Sequence, residues 1–216
     1  MLNEQQQAFK RVLNLMHEAG CLLHVVLVGS WAEFVYRETS LLEGFSPNIR
    51  TLDVDFLVRN MRRPVPAVKL TLLARKRGFF VDSDVMNGTT KLLDTSGLEV
   101  EFLIGKMGAG AESVLKTNVG VTAQALRHMD ILSSNSTEVL CLGYVVRVPL
   151  PEAYAVHKMV INTQRGSKQE KDARAIEAIW PFLDYQRLKS VLAKLTKRER
   201  TRADAFMVAH GLEISE

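Results

Sequence analysis

The run "TLDVDFLV", residues 51–58, decides the fold. It is short, β-prone and mostly apolar, which predicts a strand packed into a sheet. Side chains alternate along a strand, so Asp53 and Asp55 share one face while Val54 and Phe56 share the other. Two carboxylates about 4 Å apart repel by about 1 kcal/mol in water and by about 4 kcal/mol in a protein surface cleft. Such a pair requires either a wet sheet face or a cation to hold it ionised.

Upstream, "LLHVVLV" (22–28) is continuously apolar and predicts a buried central strand, running directly into Gly29, Ser30 and a helix that begins "SWAEFVYRE". Glycine at that junction lets a ligand approach the backbone, and the opening amides of a helix form a cradle for phosphate. Ser30 with Glu33 three residues later also fits a capping box, a role compatible with the cradle. Downstream, "GLEVEFLIG" (97–105) predicts another strand with Glu99 and Glu101 on one face. If the two acidic strands are neighbours, three or four carboxylates converge. Their oxygen-only character selects hard divalent ions, Mg²⁺ or Mn²⁺, which take a few carboxylates and complete their shells with water and phosphate oxygens, and carboxylates on two strands could hold a pair of them.

The rest of the chain supplies a scaffold. Phe9, Val12, Leu13 and Met16 form a helical stripe over residues 4–19, and residues 40–50 form a loop around Gly44, Pro47 and Asn48. "PVPAVKLTLLARKRG" (64–78) predicts an amphipathic helix with proline near its start. Asn87-Gly88 signals a hairpin, and a second hairpin pivots near Gly143. Residues 105–135 show no clear pattern. From Pro149 and Pro151 onward the chain reads as helical, broken at "TQRGS" (163–167). This divides it into a core, 1–148, and a C-terminal helical segment, 149–216, packed on that core.

With 216 residues, 47% of them hydrophobic, the chain can bury one sizeable core. No apolar run approaches the roughly 18–20 residues a membrane span needs, so neither membrane nor export is expected. Cys21 and Cys141, without a CxxC, read as buried and reduced in a cytoplasmic protein, and the five histidines lack zinc-ligand spacing. The net charge of +4 and pI near 9.1 owe much to "RLKSVLAKLTKRERTRADAF" (187–206), either a solvated helix surface or a face for polyanions.

Taken in order, "VGSWAEFVY", "RTLDVDFLV", "LEVEFLIG" and "VPLPEAYAVHKMVINTQRGSKQEKD" resemble the DNA polymerase β type nucleotidyltransferase superfamily, in particular small bacterial members related to abortive-infection and toxin–antitoxin proteins. The resemblance spans roughly residues 20–180. It implies an α/β (α+β) fold with a mixed sheet and a C-terminal helical segment. It also implies a 2.7.7-type enzyme that moves a nucleoside monophosphate from an NTP to an acceptor hydroxyl and releases pyrophosphate. On this basis Gly29 and Ser30 contact the NTP, and Asp53 and Asp55 ligate Mg²⁺. A third acid, Glu101 with Glu99 in reserve, joins them, and Lys158, Arg165 and Lys171 reach the triphosphate. Glu stands where Asp is more usual, and 22 residues separate Ser30 from Asp53, a longer gap than the commonest motif has. The Glu at the third position is the best support for a rival: a silent, antitoxin-like member of the fold that binds nucleotide or RNA. The acceptor stays open among RNA or tRNA, a small molecule and a protein hydroxyl.

Overall fold

A computed structural model describes residues 3–47, 51–83, 88–106, 108 and 113–214. Helix α1 (Glu4–Glu18) starts with a reciprocal capping box between Asn3 and Gln6 and buries Phe9, Val12, Leu13 and Met16, the stripe the periodicity predicts. The apolar run that follows is not one strand: Leu22–His24 form a 3₁₀ turn, and only β1 (Val25–Val28) is extended. Helix α2 (Ser30–Glu38) follows directly, and after a loop comes β2 (Asp53–Val58). Helix α3 is confined to Leu70–Lys76, shorter than expected. Pro64 and Pro66 disfavour helical backbone at the residues before them, so no helix begins ahead of Pro66.

Strands β3 (Phe80–Ser83) and β4 (Thr90–Leu93) pair antiparallel, as a hairpin requires, although Asn87 of the expected turn lies outside the described residues, as do Asn48 to Arg50 of the earlier loop. Next comes β5 (Glu99–Gly105). The unpatterned region then yields β6 (Val114–Lys116), β7 (Thr122–Leu126) and α4 (Asp130–Ser134). A separate hairpin, β8 (Ser136–Cys141) and β9 (Tyr144–Pro149), turns on Leu142 and Gly143, both at positive φ, as a two-residue hairpin turn demands. The helical segment comprises α5 (Pro151–Ile161), α6 (Gln169–Ile179), α7 (Tyr185–Ala193) and α8 (Lys197–Ala209), with 3₁₀ turns bridging α5 to α6.

Among the described residues the main sheet is seven-stranded and mixed, with β1-β2-β5-β4-β3 as its path and β7 and β6 branching from β5. The first half of β5 pairs with β4 and the second half with β7. Strand β1 is therefore an edge, not the expected centre. Its continuous burial has another cause, because both faces are packed. Val25 and Leu27 enter the main core, while Val26 and Val28 join Leu57, Leu103, Met129 and Leu132 in a smaller cluster on the opposite face. That second face carries Asp53 and Asp55, so one end of it is apolar and covered while the other is acidic. Residues of α5 to α8 belong to the main core cluster along with those of α1 and the sheet. Cys21 and Cys141 are buried free thiols, each pushed up to about 12 by burial. No helix among the described residues is long and apolar enough to cross a membrane.

Candidate active site

The register assembles the acids. Strands β2 and β5 run parallel with Asp53 opposite Glu99 and Asp55 opposite Glu101. On the other side of β2, Val28 pairs with Asp55, so β1 delivers Gly29 to the same row. Gly29 has φ +70° and ψ −159°, a region essentially reserved for glycine, and a Cβ added there would overlap Asp55 Oδ2. The backbone thus closes against the carboxylate with no room for a side chain. Gly29→Ala is accordingly expected to cost about 1–3 kcal/mol in stability and to displace Asp55. Thermal unfolding together with nucleotide binding checks both effects.

The expected capping box at the start of α2 does not form. Gly29 is the N-cap and Ser30 the first helical residue, without a side-chain capping bond. Glu33 instead accepts a hydrogen bond from the Tyr154 hydroxyl, which ties α2 to α5. Burial pushes the Glu33 carboxyl up, against the pull of Tyr154 and Lys158. The competition between a buried tyrosine and a helix cap is invisible to local spacing, and here the tyrosine wins. The Ser30 side chain and the opening amides are left without that internal cap.

Asp55 is pushed up to about 6, first by burial and then by the charges of Glu101 and Asp53, partly offset by Lys168 and Arg165. Asp53, at the strand start, is exposed. Glu101 is not free: Lys91 of β4, directly opposite it in register, places Nζ 2.7 Å from Glu101 Oε1 and 2.5 Å from Glu99 Oε1. Among the described residues no three His, Cys, Asp or Glu side chains converge closely enough to hold a metal.

The opposite wall comes from the helical segment. Lys158 of α5 and Arg165 beyond it both meet Asp172 of α6, at 2.5 Å and 2.9 Å, although the helix joining them is interrupted. Lys158, Arg165 and Asp172 stand seven residues apart in turn, and a bent connection in place of one continuous helix brings the three together. Asp172 is almost fully buried, and although burial raises its carboxyl, Lys158 and Arg165 hold it below the ordinary range. Lys158 also lies 5.0 Å from the centre of the Tyr154 ring.

These elements enclose a cleft of about 220 Å³. Gly29, Asp53, Asp55 and Glu101 line one side of it, Lys158, Arg165, Lys168 and Asp172 the other. Leu126, Met129 and Leu132 give it an apolar shelf. Of the residues singled out from sequence, Ser30 adjoins the cleft at the start of α2, Glu99 stands one step along the strand on Lys91, and Lys171 is exposed on α6. Lys168 and His157 were not anticipated. Lys168 lies in the same basic run as Arg165, a signal that spacing alone could not rank. His157 is buried with Nε2 lacking a protein partner, and burial beside Lys158 pushes its imidazole down to about 3, so it is neutral at physiological pH. Larger hollows of about 460 and 500 Å³, beside Arg11 and Tyr144 and beside Leu23 and Val65, lack convergent acids.

The donor set fits a hard divalent ion at Asp53 and Asp55. Both supply only oxygen, the glycine leaves the backbone close to Asp55, and a cation would offset the burial and the like-charge repulsion that raise that carboxyl. Mg²⁺ is held by one or two carboxylates with phosphate and water, so a three-acid cage is not required.

Comparison with protein families matches residues 7–200 to the family described as "Nucleotidyltransferase". No curated protein matches the chain. Among solved structures, an antigenic nucleotidyltransferase-like protein from Paracoccidioides brasiliensis is similar over 93% of this chain and 92% of that one, at 20% identity and a TM-score of 0.47.

Proposed function

Because this chain belongs to the nucleotidyltransferase family, we propose that it transfers a nucleoside monophosphate from an NTP to an acceptor hydroxyl in a Mg²⁺-dependent reaction that releases pyrophosphate. The observation that carries this reading is the facing of two charges across one cleft, Asp53 and Asp55 on the sheet and Lys158, Arg165 and Lys168 on the helical wall. An anionic triphosphate bridged to a cation is the ligand class that satisfies both walls at once.

In this reading Gly29 lets the backbone turn tightly beside Asp55, and the opening amides of α2, with Ser30, donate to phosphate oxygens. Lys158, Arg165 and Lys168 offset the charge on the β- and γ-phosphates and stabilise the departing pyrophosphate. Lys171 approaches the same region from α6, where its charge already acts on Glu33. A divalent ion on Asp53 and Asp55, when bound, supplies charge neutralisation at the α-phosphate and favours ionisation of the acceptor hydroxyl. The acceptor oxygen bonds to the α-phosphorus as the bond to pyrophosphate breaks, and the acceptor proton passes to the acidic row, where Glu101 stands opposite Asp55. The apolar shelf of Leu126, Met129 and Leu132 suits a nucleobase. Positioning and charge carry most of such a transfer. Reduced, buried Cys21 and Cys141 fit a cytoplasmic setting.

The Lys91 to Glu101 ion pair favours a second reading, a silent member that binds nucleotide or RNA as a regulatory, antitoxin-like partner. The α8 cations give that reading modest help, since Arg200 is engaged by Asp204 and Arg202 contacts His128. Incubation with each NTP labelled at the α-phosphate, alongside cellular RNA, tRNA, protein and small-molecule acceptors, separates the two. The enzyme reading expects label on an acceptor in step with pyrophosphate release. Label confined to NTP, with RNA binding that is metal-independent and steeply salt-dependent, is the outcome for the rival.

A further inference from the structure

Lys91 sits at the far end of the acid row, away from the triphosphate wall. The β4 to β5 register sets it opposite Glu101, and its side chain is about three-quarters buried, with 26% exposed. Its ammonium takes one oxygen from each of Glu99 and Glu101, at 2.5 Å and 2.7 Å, both short enough to be charge-assisted. Those two bonds hold the ammonium firmly protonated.

Building on the nucleotidyltransferase reading, we propose that Lys91 is a built-in counter-cation for the third acid, so that the site takes up one divalent ion, on Asp53 and Asp55, and no second ion between Asp55 and Glu101. Three observations converge on this. Lys91 already occupies one acceptor site of Glu101, and an ion at either oxygen of that carboxylate would sit beside a fixed positive charge. Strand pairing places Lys91 opposite Glu101, so withdrawal of the ammonium would give up two charge-assisted bonds. And no three acids converge among the described residues, while the Asp53 and Asp55 pair stays clear of any lysine within ion-pair distance. Lys91 is a positioning residue: it fixes Glu101 and limits the cation count without touching substrate.

Mn²⁺ counted by electron paramagnetic resonance on the full chain, with a non-hydrolysable α,β-methylene NTP, tests the proposal. One Mn²⁺ per chain is expected for the native protein and for Lys91→Arg. Two are expected for Lys91→Met and for Lys91→Gln, falling back to one when Glu101→Gln is added. Two ions on the native protein, or one on both lysine-removing variants, overturns it. No Mn²⁺ on the native protein even with the NTP analogue overturns the nucleotidyltransferase reading beneath it, a result distinguishable from either.

Discussion

Asp55→Asn is expected to abolish nucleotidyl transfer while making the metal-free protein more stable at pH 7. The loss of rate should be about 10³-fold or more, equivalent to about 4 kcal/mol, the order that metal-assisted charge stabilisation contributes. The gain in stability follows from proton linkage. Asp55 is raised to about 6 in the fold by burial, Glu101 and Asp53, against an ordinary value of 3.8. A raised carboxyl favours the folded state fully below its unfolded value, and that contribution is lost as pH rises through about 6. At pH 7 the ionised Asp55 therefore destabilises the fold by about 1–3 kcal/mol, and a neutral amide removes the penalty. Melting curves of the two proteins should separate at pH 7, with the variant higher, and converge below about pH 4. A variant that is less stable at pH 7 would contradict this electrostatic picture of the row.

Asp172→Ala is expected to act in the opposite direction, lowering stability by about 3 kcal/mol, because it strands the largely buried Lys158 without its partner. For a chain of this size that corresponds to a drop in melting temperature of about 6–12 °C. Arg165 is more than a third exposed and can turn to water, which keeps the cost at the low end. The linkage sign is also reversed. Asp172 is lowered in the fold despite its burial, so its contribution is present above the ordinary carboxylate range and lost as pH falls through its folded value. Lys158→Met with Asp172→Leu removes both buried charges of the pair and should recover much of the stability without recovering nucleotide binding. Calorimetry and nucleotide titration on the same samples check both halves.

The acidic strands show how much of the site was legible. Alternation alone puts Asp53 with Asp55 and Glu99 with Glu101, and the observed parallel register brings the two pairs side by side. Gly29 and the start of α2 were readable for the same reason, a strand ending in glycine before a helix. What periodicity could not supply was the third partner. Lys91 lies eight residues before Glu99, in a hairpin strand with nothing to distinguish it from a solvent-facing lysine until register sets it opposite Glu101. The same holds for Glu33, where local spacing indicates a cap and tertiary packing supplies Tyr154, 121 residues away. Lys158, Arg165 and Asp172 met despite a broken helix, because an ion cluster constrains side-chain tips and not the path between them. The apolar run at residues 22–28 misled about sheet position, since an edge strand packed on both faces has the same composition as a central one.

The most direct measurement is thermal unfolding of the purified chain with each NTP, with and without Mg²⁺, repeated on the Asp53→Asn, Asp55→Asn double variant. A working site stabilises the native protein only when metal and NTP are both present, by about 2.7 kcal/mol at a hundredfold excess over the dissociation constant, and the double variant loses that response. Stabilisation by NTP that is indifferent to Mg²⁺, or that survives in the double variant, would contradict the assignment of Asp53 and Asp55 as the metal-holding pair.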